Sequence, residues 1–154
     1  HAARNLVLAL PGSVAVVRTG DVALREMLTG LGLVVVECTN ASQGMGASIA
    51  CGVSATPNAD GWVIALADMP WIQSQTIYTV AQQLRTGAGM AAPQYQGQRG
   101  HPVGFAAIFK ASLLALHRDA GARDVIETGR EHLVLTMTND AGVLLDVDVP
   151  ADAY

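Results

Sequence analysis

A short apolar run that ends in an aspartate and a proline constrains the fold of this chain more than any other feature. Residues 62–67, with the sequence WVIALA, are apolar without interruption, which is typical of a strand covered on both faces in a parallel sheet. Pro70 has no N–H for a sheet hydrogen bond, so we expect the strand to end near it. Asp68 then lies at the carboxyl end of the strand, where open α/β sheets bind ligands. Such a carboxylate suits Mg²⁺ that carries nucleotide phosphates, and it equally suits a cap for the next turn.

Strand and helix patterns alternate along the rest of the chain. Besides the strand that begins at Trp62, the predicted strands lie at residues 13–17, 33–36, 90–92, 133–137 and 143–147. The predicted helices lie at residues 2–10, 21–31, 74–84, 105–116 and 122–128, and residues 94–101 form a loop or hairpin. This order predicts a right-handed α/β fold with a mostly parallel sheet. No linker or repeat divides the pattern, so we assign residues 1–154 to one domain.

The composition argues against several classes of function. The chain of 154 residues is 51% hydrophobic and 14% charged, which indicates a folded domain with a core. Its formal charge of −4, without any basic run, argues against nucleic-acid binding. No apolar stretch is long enough to span a membrane. The cysteines Cys38 and Cys51 are isolated in apolar surroundings, so we expect reduced, buried thiols and a cytoplasmic location.

Two loops contain residues that suit the binding of phosphate groups. Gly44-Met45-Gly46-Ala47-Ser48 follows a predicted strand and opens a helix, whose free N–H groups could bind a phosphate or a base. A plain glycine turn fits these residues too, because the dinucleotide fingerprint needs a third glycine where Ile49 stands. Arg99-Gly100-His101-Pro102 places a cation beside an imidazole, which suits phosphate recognition; a solvated loop is the alternative.

Further acidic residues lie near position 150. Asp146 and Asp148 share one side of an extended segment, where two carboxylates repel each other unless a cation or a donor lies between them. Together with Asp68 they could hold Mg²⁺, whereas Asp148 could instead cap a helix that begins at Pro150. The segment DAGARD, with Arg123, is a turn into a helix, and a simple helix cap is the alternative there.

Five segments, taken in order, carry a resemblance to a known family: GMGASIACGV, GWVIALADMP, QGQRGHPVGF, DAGARDVI and LLDVDVPADAY. They resemble the MobA-like nucleotidyltransferases, most closely the molybdenum cofactor cytidylyltransferase branch, over nearly the whole chain. The resemblance implies a Rossmann-like three-layer α/β sandwich, the nucleotidyltransferase fold. It also implies transfer of CMP from CTP to the molybdopterin cofactor with release of pyrophosphate. A guanylyltransferase of the same family is the alternative.

The resemblance further implies the roles of particular residues and the partners. Asp68 and Asp146 would bind Mg²⁺ and serve the catalytic step, with Asp148 as a further metal ligand. The implied nucleotide-binding residues are Gly44, Met45, Gly46 and Ser48, and the implied substrate-binding residues are Arg99, Gly100, His101 and Arg123. The implied partners are CTP or another NTP, the molybdopterin cofactor, and molybdoenzymes of the xanthine dehydrogenase type or their chaperones.

One departure from the family pattern concerns the triphosphate. The family opens with a strand and a glycine-rich loop, LAAGxSxRxGxxK, that are absent here, and the single lysine, Lys110, follows RGHPV and cannot replace the lysine of that loop. We therefore expect an N-terminally truncated sheet without its first strand, whose exposed edges favour self-association. We also expect this chain alone to be inactive, and a non-catalytic cofactor-binding module is the second hypothesis.

Overall fold

The computed structural model describes residues 1–147, so the predicted metal ligand Asp148 lies outside the described residues. The helices are α1 (Ala2–Ala9), α2 (Val22–Gly30), α3 (Met45–Ser54), α4 (Ser74–Arg85), α5 (Lys110–Leu114) and α6 (Arg123–Thr128). The strands are β1 (Val14–Arg18), β2 (Val34–Cys38), β3 (Gly61–Ile64), β4 (Met90–Tyr95), β5 (Gln98–Arg99), β6 (Val103–Ala106) and β7 (Leu133–Met137). Short 3₁₀ turns, among them Arg118–Ala120 and Ala141–Leu144, join these elements.

The strands give an α/β fold with a mixed, mostly parallel strand arrangement, as the sequence predicts. Within residues 1–147 they form two sheets, β1 with β2 and a five-stranded sheet of order β3-β6-β4-β5 in which β7 also pairs with β4. β1 pairs with β2 in parallel, and β7 pairs with β4 in parallel. β6 runs antiparallel to both β3 and β4, with Ile64 opposite Val103 and Met90 opposite Phe105. β3, β4 and β7 therefore point in the same direction. Their carboxyl ends therefore lie together along one side of the sheet, and ligands bind outside these carboxyl ends in open α/β folds.

Helices cover both faces of the sheet because side chains alternate along each strand. Trp62 and Ile64 of β3 pack with a cluster that includes side chains of α3, α5 and α6. Val63, between them, packs on the other face with side chains of α1 and α4. The strand that precedes Asp68 is thus covered on both faces, although its own side chains are only partly buried.

Two predicted elements are wrong. Phe105 lies in β6, and the helix that follows begins only at Lys110. The four-residue spacing of Phe105, Phe109 and Leu113 is typical of a helix, but here a strand, a 3₁₀ turn and a helix place all three in the same core cluster. Residues 143–147 do not form a strand, because a 3₁₀ turn at Ala141–Leu144 takes its place. Of the two possibilities predicted for residues 94–101, a loop or a hairpin, the structure has the hairpin, since β5 pairs with the end of β4.

The two cysteines are free thiols, as the composition predicts. Cys38 is buried and Cys51 is half-buried. Burial, together with the neighbouring Cys38 thiol, raises the pKa of Cys51 to about 11, so this thiol stays protonated at neutral pH. Within residues 1–147, no helix has both the length and the apolar character that a membrane span requires.

Candidate active site

Asp68 and His101 lie at the same edge of the sheet because of how β3 and β6 pair. β3 ends at Ile64, and Asp68 follows four residues later in a turn. β6 begins at Val103 directly opposite Ile64, so His101, two residues earlier, lies beyond the carboxyl end of β3. Strand pairing therefore brings together two segments that are separated by more than thirty residues in the sequence.

A third segment joins them through backbone hydrogen bonds. The amide of Val147 donates to the carbonyl of Asp68 over 2.8 Å, which places the neighbouring Asp146 beside the Asp68 turn. The amide of His101 donates to the carbonyl of Val143 over 2.9 Å. Arg99, Asp68 and Asp146 are all close enough to His101 for their charges to act on it, and we call the place where these four residues lie the acidic edge.

The charged side chains of the acidic edge face solvent. Asp68, Arg99 and Asp146 are all exposed. The ion pairs within residues 1–147 join Arg25 to Glu37, Arg123 to Glu127 and His132 to Glu131, so they leave the acidic edge out. Its two carboxylates and one guanidinium are therefore available to a ligand.

His101 is the titrating group of the acidic edge. Burial lowers the pKa of His101 below 6.5, and the nearby positive charge of Arg99 lowers it further. The carboxylates of Asp68 and Asp146 act in the opposite direction without cancelling the shift. His101 is therefore neutral at pH 7 and can accept as well as donate a hydrogen bond.

Gly100 has a packing role in this arrangement. A Cβ atom at position 100 would lie 2.6 Å from the side chain of Val143. The Gly100 amide also donates to the carbonyl of Pro93 over 2.8 Å, which fixes the loop on the end of β4. A larger residue would push the loop away from the 3₁₀ turn at Ala141–Leu144, so glycine is required for this close approach.

The acidic edge has a donor set that fits a divalent cation shared with a substrate. Asp68 and Asp146 offer hard carboxylate oxygens, the ligands that Mg²⁺ prefers. Residues 1–147 contain no convergent group of three or more His, Cys, Asp and Glu side chains. Mg²⁺ is commonly held by one or two carboxylates with phosphate oxygens and water in the remaining positions, so two carboxylates are enough.

The predicted nucleotide-binding segment is packed differently. Gly44 has φ +120°, a conformation that favours glycine, and α3 begins at Met45. A Cβ atom at Gly44 would collide with Asp119 and the backbone of Arg118, and one at Gly46 would lie 2.9 Å from the Arg118 carbonyl. Met45 is exposed and Ser48 is half-buried. In this structure the glycines permit contact with another part of the chain.

Arg123 and Lys110 have partners away from the acidic edge. Arg123 begins α6, and its Nε donates to Glu127 Oε1 over 3.2 Å on the exposed face of that helix. Lys110 Nζ donates to the carbonyl of Pro57 over 2.7 Å. The structure thus places Arg123 on an element outside the acidic edge.

Asp140 is a buried polar residue for which sequence reasoning found no role. Its Oδ2 accepts hydrogen bonds from the Gln73 amide over 2.8 Å and from Thr76 Oγ1 over 2.7 Å. Its Oδ1 accepts from the Gly142 amide over 3.0 Å. The sequence could not indicate these bonds, because Gln73 and Thr76 lie more than sixty residues away.

Two clefts lie outside the acidic edge. One of about 260 Å³ lies between α4 and the end of β7, and its lining includes Thr79, Thr136 and Asn139. Another of about 550 Å³ is lined by residues of α5 and α6 and by His117 and His132. Asp68, Arg99, His101 and Asp146 line neither cleft. The candidate site is therefore defined by its side chains, and these two clefts lie elsewhere.

Comparison with known proteins identifies the family. A family model described as the MobA-like NTP transferase domain matches residues 1–134. The chain belongs to the MobA-like NTP transferase family. This assignment confirms the resemblance to the MobA-like nucleotidyltransferases and makes the chain a nucleotidyltransferase by family. No curated protein sequence matches the chain.

Solved structures agree with the MobA-like fold. Rv0371c from Mycobacterium tuberculosis H37Rv has a TM-score of 0.74 at 25% identity, and the match covers 99% of this chain and 77% of that chain. The structure of Rv0371c in complex with manganese has a TM-score of 0.74 at 24% identity, with 99% and 79% covered. The nucleotidyl transferase Mth528 from Methanothermobacter has a TM-score of 0.78 at 17% identity, with 99% and 76% covered. At 17% identity this likeness shows the fold alone.

Proposed function

We propose that the full-length protein transfers CMP from CTP to the phosphate of the molybdopterin cofactor and releases pyrophosphate. The observation that carries the proposal is the convergence of Asp68, Arg99, His101 and Asp146 at the acidic edge, held by the hydrogen bonds from Val147 to Asp68 and from His101 to Val143. These residues belong to the three segments LADMP, RGHP and LDVDVP, whose sequences resemble the cytidylyltransferase branch.

The reaction needs positioning and charge compensation more than a protein nucleophile. A phosphate oxygen of the acceptor attacks the α-phosphorus of the nucleotide in line, the bond from the α-phosphorus to the bridging oxygen breaks, and pyrophosphate leaves. Arg99, an exposed guanidinium on the hairpin, suits the phosphate of the acceptor. His101, which its lowered pKa keeps neutral, suits a hydrogen bond to the same substrate without adding charge.

Asp68 and Asp146 are the residues that would hold a divalent cation, which we propose to be Mg²⁺. Their exposed carboxylates leave room for phosphate oxygens and water as the other ligands. The complex of Rv0371c with manganese supports divalent metal use in a protein of this fold. When bound, the cation would offset the charge of the triphosphate and of the pyrophosphate leaving group.

The identity of the nucleotide follows from resemblance, because no single side chain here reads a base. We assign Gly44, Met45, Gly46 and Ser48 to the nucleotide side of the site, since α3 begins there and helix N-termini attract phosphate groups. The close approach of Gly44 to the Arg118 backbone and the Asp119 side chain implies that this segment must move or that the nucleotide lies alongside it.

The test is a direct comparison of nucleotides in the full-length protein. Pyrophosphate release is measured with CTP, GTP and ATP at saturating molybdopterin cofactor and Mg²⁺, with no-acceptor reactions as blanks. We expect release with CTP to exceed release with GTP at least tenfold. A clear preference for GTP would replace the proposal with a guanylyltransferase. Cofactor binding without turnover of any nucleotide would favour a non-catalytic binding module.

A further inference from the structure

One segment, residues 140–147, contacts every loop that contributes to the acidic edge. Its Val143 carbonyl accepts from the His101 amide over 2.9 Å, and its Val147 amide donates to the Asp68 carbonyl over 2.8 Å. Gly100 packs against the Val143 side chain at a distance that leaves no room for a Cβ atom. The same segment carries Asp146. The relative position of Asp68, His101 and Asp146 therefore depends on where the 140–147 segment lies.

Asp140 attaches the 140–147 segment to the body of the protein. Its side chain is only 4% exposed. Oδ1 binds the Gly142 amide inside the segment, whereas Oδ2 binds the Gln73 amide and the Thr76 hydroxyl at the beginning of α4. One carboxylate therefore joins the segment to the helix. The three hydrogen bonds need both of its oxygens as acceptors, Oδ1 toward the segment and Oδ2 toward the helix.

Close packing supports the same attachment. A Cβ atom at Gly142 would collide with the backbone of Trp71, which precedes α4. Val143 is fully buried with Met69, Ile72 and Ile77 in the cluster on this face of the sheet. The segment is thus held in one position by hydrogen bonds at Asp140 and by packing at Gly142 and Val143.

We propose that Asp140 is a positioning residue for the reaction: it orients the 140–147 segment so that Asp146 stands beside Asp68 and the Val143 carbonyl holds the His101 loop. This inference rests on the proposed function, because it assigns a catalytic purpose to that orientation. Asp140 itself touches no substrate. It acts through two carboxylates that are exposed and make no ion pairs among the described residues, and so depend on the backbone for their direction.

The kinetic test compares Asp140→Asn with Thr76→Val in the full-length protein. Asparagine keeps the shape but has a single acceptor oxygen, so it cannot serve both Gly142 and Gln73. Valine at position 76 removes one hydrogen bond on the helix side and leaves the carboxylate bonded to Gln73 and Gly142. Both variants are assayed well below their unfolding temperatures. We expect Asp140→Asn to lower kcat at least tenfold with the KM for the nucleotide within twofold, and Thr76→Val to change kcat less than twofold.

Equal kinetic losses in the two variants, or a loss in Asp140→Asn confined to the KM for the nucleotide, would overturn the positioning role. A purely structural Asp140 would lower the unfolding temperature of both variants and spare kcat in both. Measuring thermal unfolding beside kcat therefore separates the two explanations.

Amide hydrogen exchange provides a readout that does not need turnover. We expect Asp140→Asn to speed exchange at the His101 and Val147 amides at least tenfold, and Thr76→Val to leave both rates within twofold. Unchanged rates in Asp140→Asn would show that the 140–147 segment does not depend on Asp140. If the wild type turns over no nucleotide, the proposed function fails, and the exchange rates still decide whether Asp140 holds the segment.

Discussion

The acidic edge and the glycine turn at residues 44–48 contain the two halves of the predicted site. The first presents exposed side chains, whereas the second is packed against another part of the chain. At the acidic edge, backbone hydrogen bonds hold the loops together, and the side chains of Asp68, Arg99 and Asp146 face solvent. At the glycine turn, the backbone of Gly44 packs so closely against Arg118 and Asp119 that no Cβ atom would fit between them. Arg123, predicted to lie near the substrate, is paired with Glu127.

This difference indicates which half is ready to bind a ligand. At the acidic edge the backbone is already held by hydrogen bonds, so the arrival of a phosphate requires only the exposed side chains to become ordered. A turn packed against its neighbour must give up contacts before it can bind the same group. We therefore expect substitutions at the acidic edge to affect activity strongly and substitutions around the glycine turn to affect it less.

The largest effect is expected for Asp68→Asn. If Asp68 binds the metal as proposed, its loss should lower kcat/KM at least about 100-fold, which corresponds to about 2.7 kcal/mol, because charge on the triphosphate is then poorly offset. The measurement is Mg²⁺-dependent pyrophosphate release by the full-length protein, with circular dichroism to confirm that the variant is folded.

Asp60→Asn is the matched control for Asp68→Asn. Asp60 is exposed and precedes β3, so the same charge is removed at the opposite end of the same strand. Its activity should stay within twofold of the wild type. Retention of more than about a tenth of the activity by Asp68→Asn would remove Asp68 from the catalytic machinery.

The sequence was sufficient to predict the strand before Asp68, the hairpin and the α/β order, because each depends on local patterns of apolar residues and glycines. It misplaced Phe105 in a helix. Residues spaced by four, such as Phe105, Phe109 and Leu113, can reach the same core cluster from one continuous helix or from a strand followed by a helix. It also missed Asp140, whose partners at Gln73 and Thr76 are brought close only by tertiary packing. Local patterns predict elements, but they cannot predict which distant backbone groups a buried carboxylate will bind.

An intermediate effect is expected for Arg99→Gln compared with Arg123→Gln. If Arg99 binds the acceptor phosphate, its loss should raise the KM for the molybdopterin cofactor about tenfold, as expected for one charge-assisted hydrogen bond of about 1.4 kcal/mol. Arg123 is 80% exposed and pairs with Glu127 on α6, so its loss should change that KM less than twofold. Steady-state kinetics at varied concentrations of the molybdopterin cofactor measure this KM in both variants. An equal rise in both variants would assign Arg123 to the substrate site and weaken the contrast between the two regions.

The smallest expected effect concerns the protonation of His101. The folded protein holds the pKa of His101 below its ordinary value of 6.5, mainly through burial and secondarily through Arg99. Between the lowered pKa and about 6.5, the unfolded chain binds a proton that the folded protein does not, so stability contributed by neutral His101 rises with pH and is complete above about 6.5. Denaturant unfolding in EDTA should show that His101→Asn removes this part of the pH dependence.

The neighbours of His101 make this prediction specific to the acidic edge. Because the negative charges of Asp68 and Asp146 raise the pKa of His101 while Arg99 lowers it, Asp68→Asn should lower that pKa further and Arg99→Gln should raise it. Asp60→Asn and Arg123→Gln should leave it unchanged. Titration of the His101 ring by NMR in metal-free buffer measures all four shifts directly. Opposite shifts for Asp68→Asn and Arg99→Gln require both side chains to act on one imidazole. The absence of either shift would mean that the gathering of charges at the acidic edge does not persist in solution.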